Sequence, residues 1–241
     1  MRLGAGLLAA GLAGALAVLP ASADAPARLH LIAASIPAVA PVPMAPSVSR
    51  TRYWPVVTAL PQATVVPAVL ANGQVQGSRD RTFDSRRPSD PNKPQTRRHV
   101  GVDLTAAEGD TVVAMEPGRI VAFYPFLARS PADGGEQTWA ILVAHKDYVA
   151  LYGEVRASSL ADRRLAVGDA VAGGQPIGMV SGTAQLHTEI YPAGTTHNYQ
   201  WPVGASPPPQ MRNPTQFLLD TAANGLRIYP GSGHSVLTAA P

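Results

Sequence analysis

The sequence predicts a mainly β protein, an antiparallel β barrel or sandwich-like domain with only short helices. Three features lead there. Gly (22) and Pro (24) are plentiful while charged residues make up 15% of the chain, a balance that favours short strands and turns over long surface helices. From His99 onward, brief β-branched and aromatic runs alternate with glycine-containing turns, the rhythm of packed antiparallel strands. Only 157–165 and 213–222 read as helical, the second with Asn213 as its cap and Pro214 at its first position.

Taken in order, Met1-Arg2 and the apolar stretch 3–19 lead into Ala21-Ser22-Ala23. A basic start, an apolar centre and a small-x-small triplet form a secretory signal, assigned to residues 1–23. Residues 24–50 are rich in Ala, Pro, Val and Ser. Prolines this frequent stop helices and central strands, which predicts a linker of mixed polyproline and coil character. Residues 51–71 hold Tyr53-Trp54-Pro55-Val56-Val57 and Ala63-Thr64-Val65-Val66-Pro67, short strand-like runs expected to pack on the domain that follows. The main domain is assigned to 72–222 and a flexible tail to 223–241. The stretch 71–98 is polar and holds Arg79, Arg81, Arg86, Arg87, Lys93, Arg97 and Arg98 against Asp80, Asp84 and Asp90. It reads first as a solvated loop; the rival reading is a rim that meets an anionic or carboxylate-bearing substrate.

Within the domain, 111–115 and 119–124 form strands joined through Glu116-Pro117-Gly118. Residues 138–144 and 148–152 form a hairpin about His145-Lys146-Asp147, a turn expected to leave His145 facing solvent. Residues 165–180 alternate apolar pairs with glycine turns, and 185–191 is the last clear strand.

Net charge is +3, too small a surplus for a nucleic-acid protein. Cysteine is absent. That removes disulfides, thiolate catalysis, Cys-ligated zinc and a lipidated cysteine anchor, and leaves His and carboxylate for any metal site. His99, Asp103 and His187 are such donors, and a catalytic zinc commonly keeps three protein ligands and one open position. On an ideal strand His99 and Asp103 would lie about 13 Å apart at Cα, so the chain must bend between them, and Gly101 permits a bend. Gln185, His187 and Glu189 alternate along one strand face. Glu189 there is a candidate hydrogen-bond partner for a ligand histidine, with a solvent-facing position the other option.

His99-Val-Gly-Val-Asp103, the turn-rich 167–178 and the closing Gln185-Leu-His187-Thr-Glu189 together resemble the lysostaphin-type zinc endopeptidases that cut peptidoglycan cross-bridges. The resemblance runs from about Asn72 to Leu219, and Arg212-Asn-Pro-Thr-Gln-Phe-Leu218 is similar to that family's C-terminal edge. It implies a compact antiparallel β domain with Zn2+ in a groove, held by His99, Asp103 and His187. It also implies two assisting histidines, where this chain carries Glu154 and Gln185. A carboxylate beside a metal is a workable general base, and an amide can donate to a developing oxyanion. The catalytic candidates are therefore Glu154 and Gln185. His197 is a further loop histidine able to overhang the groove. The expected function is an exported, periplasmic or extracellular zinc metallopeptidase acting on cell-wall peptidoglycan. The alternative is a zinc-binding but catalytically degenerate domain that binds peptidoglycan or regulates another wall hydrolase. Expected partners are peptidoglycan peptides, with no nucleic acid, no membrane span after signal cleavage, and a monomeric state.

Overall fold

A computed structural model of the chain describes residues 51–60, 65–88, 94–128 and 135–231. The signal and linker assignments, 1–23 and 24–50, lie outside the described residues, as does 232–241 of the tail.

The strands follow one another as β1 (Val56–Val57), β2 (Ala68–Val69), β3 (Val75–Gln76), β4 (Arg86–Arg87) and β5 (Arg97–Arg98). Then come β6 (Val102–Thr105), β7 (Thr111–Val113), β8 (Gly118–Ala128) and β9 (Gln137–Ala144). The last four are β10 (Tyr148–Val155), β11 (Ala170–Val171), β12 (Pro176–Met179) and β13 (Gln185–Pro192). Two short helices, α1 (Ser159–Asp162) and α2 (Thr215–Asn224), complete the described residues' α-helical content. The domain is mainly antiparallel β. Its principal sheet has six strands in the order β11-β8-β9-β10-β13-β6, and a three-stranded sheet runs β1-β7-β12.

The sheet is buried on both faces, which explains why its strands read as apolar runs with few polar interruptions. One face carries the main core, including Leu104, Ile120, Ile141, Tyr152 and Leu186. The other carries a smaller cluster, Ala140, Leu142, Val149, Leu151 and Tyr191, with Tyr124 and Phe126 packed against it. Alternation along β10 and β13 divides residues between these faces: Leu186 enters the main core, while Tyr191 joins the second cluster. His187 and Glu189 share the parity of Tyr191, and both are buried.

The structure revises several local expectations. Strands β7 and β8 follow one another as expected, and because they belong to different sheets, Glu116-Pro117-Gly118 carries the chain from one sheet to the other. The pairing of β9 with β10 is the hairpin expected, yet His145 at its turn is buried. Its Nδ1 lies 3.1 Å from the Pro117 carbonyl and its Nε2 lies 3.3 Å from the Tyr152 hydroxyl, and burial lowers its pKa. The chain crossing at Pro117 covers this turn, which local sequence does not reveal. Helix α1 is shorter than 157–165 because Arg164 adopts the left-handed conformation (φ 55°) and Leu165 N–H returns to the Leu160 carbonyl at 2.9 Å. At the start of α2, Asn213 Oδ1 accepts the Thr215 N–H at 2.9 Å. Of the strand-like run 63–67, residues 63 and 64 lie outside the described residues, 65–67 are not in a strand, and the strand follows at Ala68–Val69. The polar stretch 71–98 is not simply solvated, since β4 pairs with β5 and Thr82 is buried. Trp54 is 2% exposed and β1 pairs with β7, so the segment before the domain packs into it.

Candidate metal centre

Three neighbouring strands place the site. Asp103 on β6 is the Cα partner of His187 on β13, and His187 is the partner of Gly153 on β10. Cross-strand partners project from the same face, so residues 84 positions apart meet by register. His99 lies just before β6, and the bend across Val100-Gly101 brings it over the same spot. Gly101 earns its place by clearance and not by an unusual φ. A Cβ there would meet His187 Nε2 and the Thr188 carbonyl oxygen, both at 2.6 Å.

The three candidate ligands converge. Asp103 Oδ1 is 2.7 Å from His187 Nδ1 and 3.0 Å from His99 Nε2, and those two nitrogens are 3.1 Å apart. The outer nitrogens fix the tautomers. His99 Nδ1 donates to the Thr82 carbonyl at 2.8 Å, and His187 Nε2 donates to Glu189 Oε1 at 2.7 Å. Each imidazole therefore turns its other nitrogen toward the same carboxylate oxygen. Three donor atoms this close repel unless a cation, a proton or a metal ion, lies among them. A tetrahedral zinc with ligands at about 2.0–2.1 Å spaces its donors about 3.3 Å apart, close to the separations here. The donor chemistry and spacing fit zinc.

Electrostatics carry the same message through the proton. Burial acts to lower the His187 imidazole, but hydrogen bonds to Asp103 and Glu189 prevail and lift its pKa to about 10. Burial acts to raise Asp103, and the two histidines overcome it and hold the carboxyl well below the usual range. His99 is lowered, chiefly by burial, and stays neutral. One proton is thus held where a metal would sit. Glu189, fully buried, takes the Tyr191 hydroxyl on its second oxygen, so of the two positions open to it in the sequence it holds the ligand-supporting one.

Glu154 reaches the site through an irregularity. By alternation it would follow Tyr152 into the main core. The β9–β10 register shifts between Tyr152 and Val155, and Glu154 takes φ 62°. This bulge turns its side chain into the cavity that His99, Asp103 and His187 line, a space of about 180 Å³. The residue is 4% exposed; Oε1 accepts from Gln185 Nε2 at 3.0 Å, while Oε2 is buried without a partner among the described residues. Burial, then the Asp103 charge, pushes its pKa up. Glu154 is not among the three groups whose donor atoms cluster within 4.8 Å, so it faces the centre across open space. Gln185 keeps one amide N–H beyond that used on Glu154.

Two contributors escaped sequence reasoning. Thr82 orients His99 through its backbone, and no side-chain signal marks it. Arg87 Nη2 donates to Asp103 Oδ2 at 2.5 Å, so an arginine assigned to a solvated loop grips a ligand carboxylate. His197 is exposed, stacks on Tyr199 with ring centroids 4.7 Å apart, and is not part of the cavity lining.

Residues 97–199 match the model of peptidase family M23. No curated protein sequence matches the chain significantly. Among solved structures, it is similar to Csd3 of Helicobacter pylori at 20% identity and TM-score 0.36, covering 65% of this chain and 37% of that one. It is similar to LytU at 17% identity and TM-score 0.38, covering 56% and 80%. It is also similar to the catalytic domain of the antimicrobial peptidase lysostaphin from Staphylococcus simulans, at 19% identity and TM-score 0.37, covering 57% and 89%. The chain spans little more than a third of the length of Csd3.

Proposed function

We propose that this chain is an exported zinc metallopeptidase that hydrolyses peptide bonds of cell-wall peptidoglycan, with His99, Asp103 and His187 holding the metal. The observation that carries the reading is the convergence of two imidazole nitrogens on one carboxylate oxygen, beside an open space faced by a second carboxylate. When bound, zinc supplies Lewis acidity that polarises a carbonyl and lowers the pKa of water. The chain's own residues do the rest. Asp103 and the tautomer-locked histidines hold the metal on a rigid sheet, and Glu189 strengthens His187 as a donor. Glu154, its pKa pushed up by burial, takes a proton from the attacking water at its unpartnered Oε2 and returns it to the leaving amine. Gln185 fixes Glu154 and turns its remaining N–H toward the developing oxyanion. The basic and apolar residues 1–23 support the export part of this reading.

A second reading has its own support. The Arg87 guanidinium on Asp103 draws electron density from a ligand and places positive charge beside the metal position. Such a centre suits a domain that binds peptidoglycan or regulates another hydrolase without turnover. Zinc content measured together with digestion of cross-linked muropeptides, for wild type and His187→Ala, decides between them. The peptidase reading expects one zinc per chain and released peptides from wild type, and weakened zinc binding with no released peptides from the variant. Stoichiometric zinc with intact muropeptides would transfer the case to the second reading.

A further inference from the structure

Three arginines on the β4–β5 ladder and its continuation lie close to the centre, and they are not equivalent. Arg87 is paired with Asp103. Arg98 is paired with Asp84 and lies over the Trp201 ring at 5.1 Å. Arg97 is half-buried and lines the cavity, yet among the described residues its guanidinium has no hydrogen-bond or ion-pair partner. It stands directly opposite Arg87 in the ladder. Like charges at directly opposed positions destabilise a strand pair, and Asp103 neutralises only one of these two.

The backbone around Arg97 is fixed from its other side. Arg98 N–H donates to the Trp201 carbonyl at 2.7 Å, Val203 N–H donates to the Thr96 carbonyl at 3.0 Å, and Arg97 bridges Pro202. This docks the loop before Trp201 against β5, and Asn198 and Gln200 from that loop line the same cavity. Asn198 Oδ1 is occupied by the Tyr124 hydroxyl at 3.1 Å, so the amide NH2 is its remaining polar end. This wall of the cavity is therefore rich in donors, with a forked cation at its centre, and it faces a centre whose carboxylates are already engaged or aimed at the metal position. A planar guanidinium left unpaired in such a wall matches a carboxylate in a two-point contact.

We propose that Arg97 is a specificity-determining residue that receives a free carboxylate of the substrate, so that the site takes peptides carrying an ionised carboxyl next to the scissile bond. The proposal rests on the peptidase reading for the words substrate and scissile, but the recognition itself is a binding property. Arg97 touches no reacting atom in this scheme. It positions the peptide so that its carbonyl lies between the metal position and Glu154.

The test uses two probes: soluble muropeptide dimers with free stem carboxylates, and the same dimers with those carboxylates converted to carboxamides. Dissociation constants are measured for the zinc-saturated full chain in a Glu154→Gln background, which keeps the probes intact, with Arg97, Arg97→Lys and Arg97→Gln. Arg97 is expected to favour the carboxylate probe at least tenfold. Arg97→Gln should bring the two probes within twofold of each other, and Arg97→Lys should fall between, since it keeps charge but loses the fork. With Glu154 restored, Arg97→Gln should raise KM for the carboxylate probe at least tenfold and leave kcat within threefold. No preference with Arg97 present, or a preference that survives Arg97→Gln, overturns the proposal. Should Arg97→Gln fail to fold, Arg97→Lys decides, and an undiminished preference there is refutation. Selective binding without bond cleavage would sink the peptidase reading and leave Arg97 in its role; equal cleavage of both probes would do the reverse.

Discussion

Zinc binding to this site should release close to one proton at neutral pH. Of the three candidate ligands, Asp103 is already ionised and His99 already neutral. His187 alone holds a proton, with its pKa raised to about 10 by Asp103 and Glu189 against the effect of burial. A metal that takes its Nδ1 lone pair must displace that proton. The apparent zinc affinity therefore climbs about tenfold per pH unit below pH 10, and about 100-fold between pH 7 and 9, or about 2.7 kcal/mol at 1.36 kcal/mol per unit. Chelator-competition titrations at the two pH values read the slope, corrected for zinc hydrolysis. Calorimetry in buffers of different ionisation enthalpy counts the proton. The sign for stability without metal follows from the same group. Its folded pKa lies above its unfolded value of about 6.5, so its contribution is complete below pH 6.5 and disappears as pH rises through about 10. Chelated protein should melt lower at pH 10 than at pH 7, and saturating zinc should reverse that trend. A slope near zero would mean that His187 is not the protonated ligand. A slope near two would mean that His99 is charged as well, and the tautomer assignment would fall.

Other perturbations address other parts of the site. Glu154→Gln removes the only unpartnered carboxylate oxygen found at the cavity among the described residues, and kcat on muropeptide dimers should fall by about 10²–10⁴ while zinc content stays at one per chain; full activity would remove Glu154 from the mechanism. Gly101→Ala places a methyl 2.6 Å from both His187 Nε2 and the Thr188 carbonyl. Such overpacking costs about 1–3 kcal/mol, and the displaced ring should weaken zinc binding at least tenfold in the same chelator assay; an unchanged melting curve and affinity would refute the close approach. Leu186→Ala opens the main core beneath His187 and should cost about 2–5 kcal/mol in denaturant unfolding. A cost under 1 kcal/mol would contradict the packing described.

Much of this was legible in the sequence because it rests on local chemistry. Strand-forming runs and glycine turns set the mainly β fold. The period of two along 185–189 placed Gln185, His187 and Glu189 on one face, and all three line the cavity. Gly101 was marked as the place where the chain bends, although the structure shows that its decisive property is the missing Cβ against the His187 ring. Other parts depend on contacts between distant segments, which no local pattern encodes. Arg87 reaches Asp103 through a two-residue ladder within a stretch whose composition looks solvated. Thr82 contributes only a backbone carbonyl. His145 sits in a turn, normally an exposed place, but the crossing at Pro117 buries it. Glu154 is the clearest case. Strict alternation would send it into the core, and a one-residue bulge with a left-handed backbone turns it toward the metal position instead.

The central claim is that two tautomer-locked imidazoles and one carboxylate hold a single zinc and leave it an open side. X-ray absorption at the zinc K-edge of the purified, zinc-saturated chain tests this most directly. The account predicts about four light-atom neighbours at about 2.0–2.1 Å, two of them with the outer-shell scattering of imidazole, falling to one in His187→Ala. Six oxygen neighbours, or an imidazole count that His187→Ala leaves unchanged, would contradict it.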